Sequence, residues 1–362
     1  MHYSLLQQSA EDFAMAAPPS PNFHLLSDVA SQLTAVPSCY VRRPSDRLDL
    51  AAVTAPGAAI PVIDLAGADG PDRHKVVAAV GMACQTAGFF LVKNHGISEE
   101  VMANMLNVSR EFFRLPPSDR RVTYSDDPAT NPRLSTSFYP AAEDVRCWRD
   151  YLRLPCHPLD DVLPQWPPNP PSFRPAAAEY AAGVRRLAHL LLGAISESLG
   201  LEKTFMERAL GPLDQAMAVN YYPRCPQPEL TCGLPEHKDF TVITVLLPDG
   251  VPGLQVLLRD GRWVAVEPAA GELVVNVGDQ VEAFSNGRYQ SVLHRAVVNN
   301  ETERISLPMF FLPPMEAVVK SPEKLIDDEH PRLFRSYRLA EFYEKFWNGG
   351  LRTQTCLDLF KY

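Results

Sequence analysis

The chain has 362 residues, of which 46% are hydrophobic, and a formal net charge of −9 from 34 basic and 43 acidic side chains. That length and composition leave ample chain for a core, and an acidic balance without a basic stripe argues against nucleic acid or an anionic membrane as partner. Seven scattered cysteines, an odd number, form neither a disulfide framework nor a paired zinc-ligand pattern. A reducing compartment follows, with the cytoplasm as the expected location and the nucleus left open. No basic start followed by an apolar run marks a secretory signal, and no stretch reaches the ~18–20 apolar residues that span a bilayer.

Residues 1–37 are broken by Ala16-Ala17-Pro18-Pro19-Ser20-Pro21 and predict a poorly ordered arm. A strand at Ile60–Leu65 precedes a helix that starts behind Asp72, runs to Thr86 and closes at Gly88. Phe89–Val92 is a second strand. Ser98 caps the next helix, in which Val101, Met105, Val108 and Phe112 recur at helical spacing. His95 lies between them with no second ligand-type residue at metal spacing, so it reads as a hydrogen-bonded turn residue. Prolines make 163–171 a stiff connector. Tyr180, Val184, Leu187, Leu191, Ile195 and Leu199 then mark one long helix stopped at Gly200, with His189 off its apolar face.

After Gly211 the pattern turns to short β-type runs: Met217–Tyr222, Thr241–Leu247, Leu254–Leu258, Trp263–Val266, Leu273–Val277, Val292–Val298 and Ile305–Leu312. Asp249-Gly250, Asp260-Gly261 and Asn286-Gly287 supply tight reversals. Many short strands at close spacing predict a barrel or a sandwich. Neither an internal repeat nor a second independent domain is visible.

The chemistry concentrates in this half. His237 and Asp239 are two residues apart, so in an extended segment both point the same way. With His294 returning on a distant strand they make two imidazoles and one carboxylate on one side of an ion, the facial arrangement of non-haem Fe(II) oxygen chemistry. Arg304 and Ser306 share a strand face and offer a guanidinium fork and a hydroxyl to one carboxylate. Asn220 and Tyr222 share a face upstream. The same ligands also suit a hydrolytic zinc site, which has no need of a dicarboxylate clamp, and a metabolite-binding barrel without turnover is a further alternative.

Asn220-x-Tyr222 with Cys225-Pro226-x-Pro228, His237-x-Asp239, Gly253-Leu254-Gln255-Val256, Asn276-Val277-Gly278-Asp279, Ser285-Asn286-Gly287, Ser291-x-x-His294-Arg295 and Arg304-x-Ser306 together resemble the plant 2-oxoglutarate/Fe(II)-dependent dioxygenases. Lys238 stands where the family often has Thr, at a position that should point away from the metal. The segments Arg133–Phe138, Cys147–Leu154, Trp166–Phe173 and Phe342–Trp347 are similar to the branch holding salicylate 5-hydroxylases of the downy-mildew-resistance type, flavone synthases and flavanone 3-hydroxylases.

The resemblance implies a mainly β fold with flanking helices: a double-stranded β-helix, or jelly roll, with an N-terminal α/β module and a long backing helix. Residues 38–210 would form the N-terminal module, 211–315 the catalytic core and 316–362 a C-terminal helical extension. It implies Fe(II) on His237, Asp239 and His294, and 2-oxoglutarate on Arg304 and Ser306 with help from Tyr222 and Asn220. Oxygen is the second co-substrate and ascorbate the expected reductant. The expected protein is a monomer that hydroxylates or desaturates a small planar aromatic metabolite, a flavonoid or a phenolic acid. Phe310, Phe138 and Arg133 are candidates to line its pocket, with Phe240 and Phe311 behind them.

Overall fold

The computed structural model describes residues 25–50, 53, 60–137, 143–349 and 356–362. In chain order it runs α1 (Leu26–Val29), β1 (Val62–Asp64), α2 (Arg73–Thr86), β2 (Phe89–Lys93), α3 (Glu99–Arg114), β3 (Arg133–Thr136), β4 (Asp150–Pro155) and the long α4 (Phe173–Ser198). Strands then crowd together: β5 (Asp214–Tyr222), β6 (Leu234–His237), β7 (Ile243–Pro248), β8 (Leu254–Leu257), β9 (Trp263–Val266) and β10 (Leu273–Val277). A short helix α5 (Asp279–Phe284), β11 (His294–Ala296), β12 (Arg304–Leu312), β13 (Val318–Val319), β14 (Tyr337–Arg338) and α6 (Leu339–Gly349) follow.

Helix ends obey the local chemistry. The Ser98 hydroxyl accepts from the Val101 N–H at 3.2 Å and caps α3. Beyond α2, Gly88 takes φ +65, and a Cβ there would lie 2.4 Å from the Gln290 carbonyl oxygen, so both backbone and space require glycine. His95 is the turn residue expected, its Nε2 bonded to the Gly271 carbonyl at 2.9 Å.

The strands form an eight-stranded sheet in the order β1-β2-β10-β7-β12-β5-β4-β3 and a four-stranded sheet in the order β6-β11-β8-β9. All pairs are antiparallel except β1 with β2. Side-chain alternation gives the large sheet two very different faces. On its outer face Val219, Val245, Val275 and Leu307 join one apolar cluster with Leu187, Leu191 and Ile195 of α4, which backs the sheet. At about 1.5–3 kcal/mol for each such buried side chain, this packing and not intrinsic propensity holds the 26-residue helix in place.

On the inner face Phe89, Leu91, Leu246 and Val274 meet Val256 and Val264 of the small sheet and fill one end of the space between the sheets. The other end is not filled. Ala216, Pro308 and Phe310 remain half-buried on that inner face, while their outward neighbours Met309 and Phe311 are fully enclosed. This is the jelly-roll core expected, with one end left open.

Two expectations change. From Leu25 onward the predicted arm is packed: Leu26 is buried with Tyr40 and Trp148, and the Asp150 carboxylate accepts from the Leu26 and Ser27 N–H groups at 3.1 and 2.7 Å. Its anchor lies more than a hundred residues away, beyond the reach of any local pattern. The proline-rich connector contains no strand, as expected, but it makes short helical turns at 159–165 and buries Trp166, whose indole N–H donates to the Pro155 carbonyl at 2.8 Å.

Candidate metal centre and co-substrate pocket

β6 and β11 lie side by side with His237 paired to His294, which brings the two rings to 4.2 Å between centroids. His237 Nδ1–H donates to the Pro235 carbonyl at 2.8 Å and His294 Nδ1–H to the Val292 carbonyl at 3.1 Å. Each bond fixes the tautomer, so both Nε2 lone pairs point inward. They lie 3.8 and 3.6 Å from Oδ1 of Asp239. The other carboxylate oxygen, Oδ2, accepts from Thr244 Oγ1 at 2.6 Å and Asn276 Nδ2 at 2.8 Å. One oxygen is thus reserved and one restrained.

All three ligand atoms fall within 4.8 Å of one another, a donor set able to hold a divalent ion with adjacent positions open. Burial first, and the neighbouring His294 second, hold His237 well below the usual histidine range, which favours the neutral ring whose Nε2 lone pair faces inward. Burial alone would raise Asp239, but the two imidazoles and the bonds from Asn276 and Thr244 hold it below the usual carboxylate range. The edge of Phe89, 5.2 Å from the His294 ring, closes one side. Lys238 turns away to Glu282, 3.4 Å distant, as its position in the strand requires.

The clamp residues assemble on the inner face of the large sheet. Arg304 pairs with Tyr222 and Ser306 with Asn220 across β12 and β5. The guanidinium lies over the Tyr222 ring at 5.0 Å, its Nε donates to the Val251 carbonyl at 3.1 Å, and its Nη1 is buried without a partner among the described residues. A buried cationic donor left unmade costs free energy that an incoming carboxylate would recover. Asn220 Nδ2 donates to Ser306 Oγ at 3.3 Å, which orients the hydroxyl. Gly253 makes room: a Cβ there would come within 2.7 Å of Arg304 Nε. These residues fit a dicarboxylate with one end on Arg304 and Ser306.

The pocket candidates divide. Phe310 is half-buried on the inner face beside Thr244 and Ala216, hence next to the group that restrains Asp239. Phe311 faces the helices and belongs to the core, because adjacent strand residues point to opposite sides. Phe240 packs its ring 4.7 Å from Phe346 and 5.8 Å from Tyr343, both on α6. Arg133 is not a surface ion-pair residue: it is 1% exposed and donates to Ser125, Asp126, Ser135 and Tyr151 oxygens. Phe138 lies outside the described residues.

Sequence reasoning missed the work of Thr244 and Asn276, although an Asn inside the apolar run Leu273–Val277 is itself a signal of a buried acceptor to satisfy. It also missed Arg149, which donates to Asn220 Oδ1 at 3.2 Å and whose charge reaches His237.

Comparison with known proteins places this architecture. Residues 213–313 match the 2OG-Fe(II) oxygenase superfamily and residues 60–176 the N-terminal region described as non-haem dioxygenase in morphine synthesis. The chain belongs to the 2OG-Fe(II) oxygenase family, and it is a 2-oxoglutarate/Fe(II)-dependent dioxygenase, an oxidoreductase. It is 50% identical to Protein DMR6-LIKE OXYGENASE 2 of Arabidopsis thaliana over 93% of this chain and 97% of that one. Identity is also 50% to Flavanone 3-dioxygenase 2 of Oryza sativa subsp. japonica, over 96% and 100%. A crystal structure of JOX2 in complex with 2OG, Fe and JA superposes with a TM-score of 0.81 at 32% identity, covering 95% of this chain and 99% of that one.

Proposed function

We propose that His237, Asp239 and His294 hold Fe(II), that Arg304 and Ser306, with Asn220 and Tyr222, hold the distal carboxylate of 2-oxoglutarate, and that the enzyme hydroxylates or desaturates a small planar aromatic metabolite. The observation that carries this reading is the presence, on the facing sides of the two sheets, of two inward Nε2 atoms and one reserved Asp239 oxygen beside the small sheet and of an Arg304 Nη1 without a partner among the described residues on the large one. The iron when bound supplies oxygen activation, coupled to decarboxylation of 2-oxoglutarate to succinate and carbon dioxide. The protein's share is orientation of the reactants, neutralisation of the co-substrate charge and exclusion of water.

Kinship with a flavanone 3-dioxygenase supports a flavonoid, and the downy-mildew-resistance branch supports a phenolic acid. Phe310 would lie against the aromatic ring. In this reading residues 211–315 are the catalytic unit, 38–210 its N-terminal module and 316–362 its closing extension. Ascorbate serves as reductant. The protein acts as a monomer in the cytoplasm, a compartment consistent with seven free cysteines. No described helix is long and apolar enough to cross a membrane.

The test is purified protein with Fe(II), ascorbate and 2-oxoglutarate, offered flavanones and phenolic acids and read by mass spectrometry. A product heavier by one oxygen or lighter by two hydrogens, formed only with both iron and 2-oxoglutarate, is expected. Turnover of aliphatic substrates alone would overturn the aromatic assignment.

A further inference from the structure

The reversal at Asp249-Gly250, between β7 and β8, does more than turn the chain. The Asp249 side chain is 2% exposed and accepts from two backbone N–H groups at once, Oδ1 from Val251 at 3.1 Å and Oδ2 from Ile305 at 2.7 Å. The first bond closes the turn, as an Asp at such a position commonly does. The second crosses to β12 and meets the residue directly after Arg304. Val251 in turn offers its carbonyl to Arg304 Nε at 3.1 Å. One carboxylate thus holds Arg304 twice, at its backbone through Ile305 and at the root of its guanidinium through Val251.

A buried carboxylate in that place needs a counter-charge, and it comes from the N-terminal half of the chain. Arg110 on α3 reaches Asp249 Oδ2 at 3.4 Å. One turn further along the same helix face, Arg114 donates to Glu303 at 2.7 Å, and Glu303 also accepts from the Tyr221 hydroxyl at 2.7 Å. Helix α3 therefore grips β12 on both sides of Arg304. The two grips are not equal. The Arg114 side chain is 66% exposed, and an ion pair so open to water contributes little, whereas the Asp249 bonds are shielded and charge-assisted. The weight falls on Asp249.

We infer that Asp249 is a positioning residue for the co-substrate clamp: through Val251 and Ile305 it sets the Arg304 guanidinium where the distal carboxylate of 2-oxoglutarate meets it, and Arg110 couples that setting to α3. This rests on the reading of Arg304 as the clamp and adds to it the group that aims the fork. A bidentate contact demands direction as well as charge, so a guanidinium free to swing loses affinity with its charge intact. The metal ligands share no bond with Asp249 among the described residues, so the effect is confined to 2-oxoglutarate.

Anaerobic calorimetric titration, with Mn(II) in place of iron, tests this on the wild type, Asp249→Ala, Asp249→Asn, Arg110→Gln and Arg304→Ala, each checked by a melting curve. Asp249→Ala should weaken 2-oxoglutarate binding roughly tenfold and leave Mn(II) binding within about twofold, a split that general loosening of the fold would not produce. Asp249→Asn keeps one acceptor oxygen and should recover part of the loss. Arg110→Gln should cost about threefold. In steady state the loss should fall on KM for 2-oxoglutarate and not on kcat. A folded Asp249→Ala that binds 2-oxoglutarate as the wild type does, where Arg304→Ala has lost it, overturns the inference and leaves the clamp standing. Equal loss of Mn(II) and 2-oxoglutarate would mark a structural role and overturn it too. Should the wild type not bind 2-oxoglutarate, or Arg304→Ala bind it equally well, the clamp reading falls and this inference with it. If neither Asp249 variant folds, Arg110→Gln decides, and an unchanged 2-oxoglutarate affinity there overturns the inference.

Discussion

Single residues of this site differ in what they must be: charged, oriented or merely apolar. Arg304 must be charged and fork-shaped. Removing one partner of a buried pair costs about 3–5 kcal/mol, so Arg304→Ala should weaken 2-oxoglutarate binding roughly a hundred- to several-thousandfold by titration. Arg304→Lys should recover only part, since an ammonium does not reproduce the fork. Unchanged affinity in the Ala variant would remove Arg304 from the clamp. Phe310 has a different task. A ring stacked at ~4.5–7 Å contributes about 0.5–1.5 kcal/mol beyond area burial. Phe310→Ala should raise KM for the aromatic substrate several-fold and leave 2-oxoglutarate affinity nearly unchanged. A melting curve beside the kinetics separates this from core damage, and unaltered kinetics in a normally folded variant would contradict it.

At the scale of elements, legibility followed from where each strand's polar face points. β8, β9 and β10 were readable from short apolar runs between turn residues, and the pairs His237-x-Asp239 and Arg304-x-Ser306 from period-two spacing taken together with His294 and the family resemblance. β3 and β4 alternate equally well, with Leu134, Leu152 and Leu154 on one face and Arg133, Tyr151 and Arg153 on the other. Hydropathy alone assigns such arginines to solvent, whereas here the polar face is turned inward, and Arg133 entered the pocket candidates only through the family resemblance of its segment. α5 escaped because six residues are too few to show a helical period. The packed arm escaped because its anchor is tertiary. That anchor is testable: Asp150→Ala leaves the Leu26 and Ser27 N–H groups without their acceptor and should cost about 1–3 kcal/mol in urea unfolding. A loss below about 0.5 kcal/mol, the scatter of ordinary surface changes, would mean that α1 docks by its apolar contacts alone.

For the whole molecule, the two faces of the large sheet divide the labour. The outer face and α4 supply the core, which frees the inner face to hold polar groups that hydrophobic stability would otherwise exclude. Metal should therefore add stability without being needed for folding. A ligand present at a hundred times its Kd stabilises by about 2.7 kcal/mol. The wild-type melting temperature should rise with Mn(II) and 2-oxoglutarate and fall back with a chelator, while His294→Ala should melt normally and respond to neither. A chelator that unfolds the wild type would show the metal to be structural.

The central claim is that His237, Asp239 and His294 form the iron site that drives 2-oxoglutarate turnover. It is tested most directly by succinate formation in wild type and in His294→Ala, each with and without Fe(II) and each checked for folding. Succinate should form with the wild type only when iron is present, and not above background with the folded variant. Near-normal succinate formation by His294→Ala would contradict it.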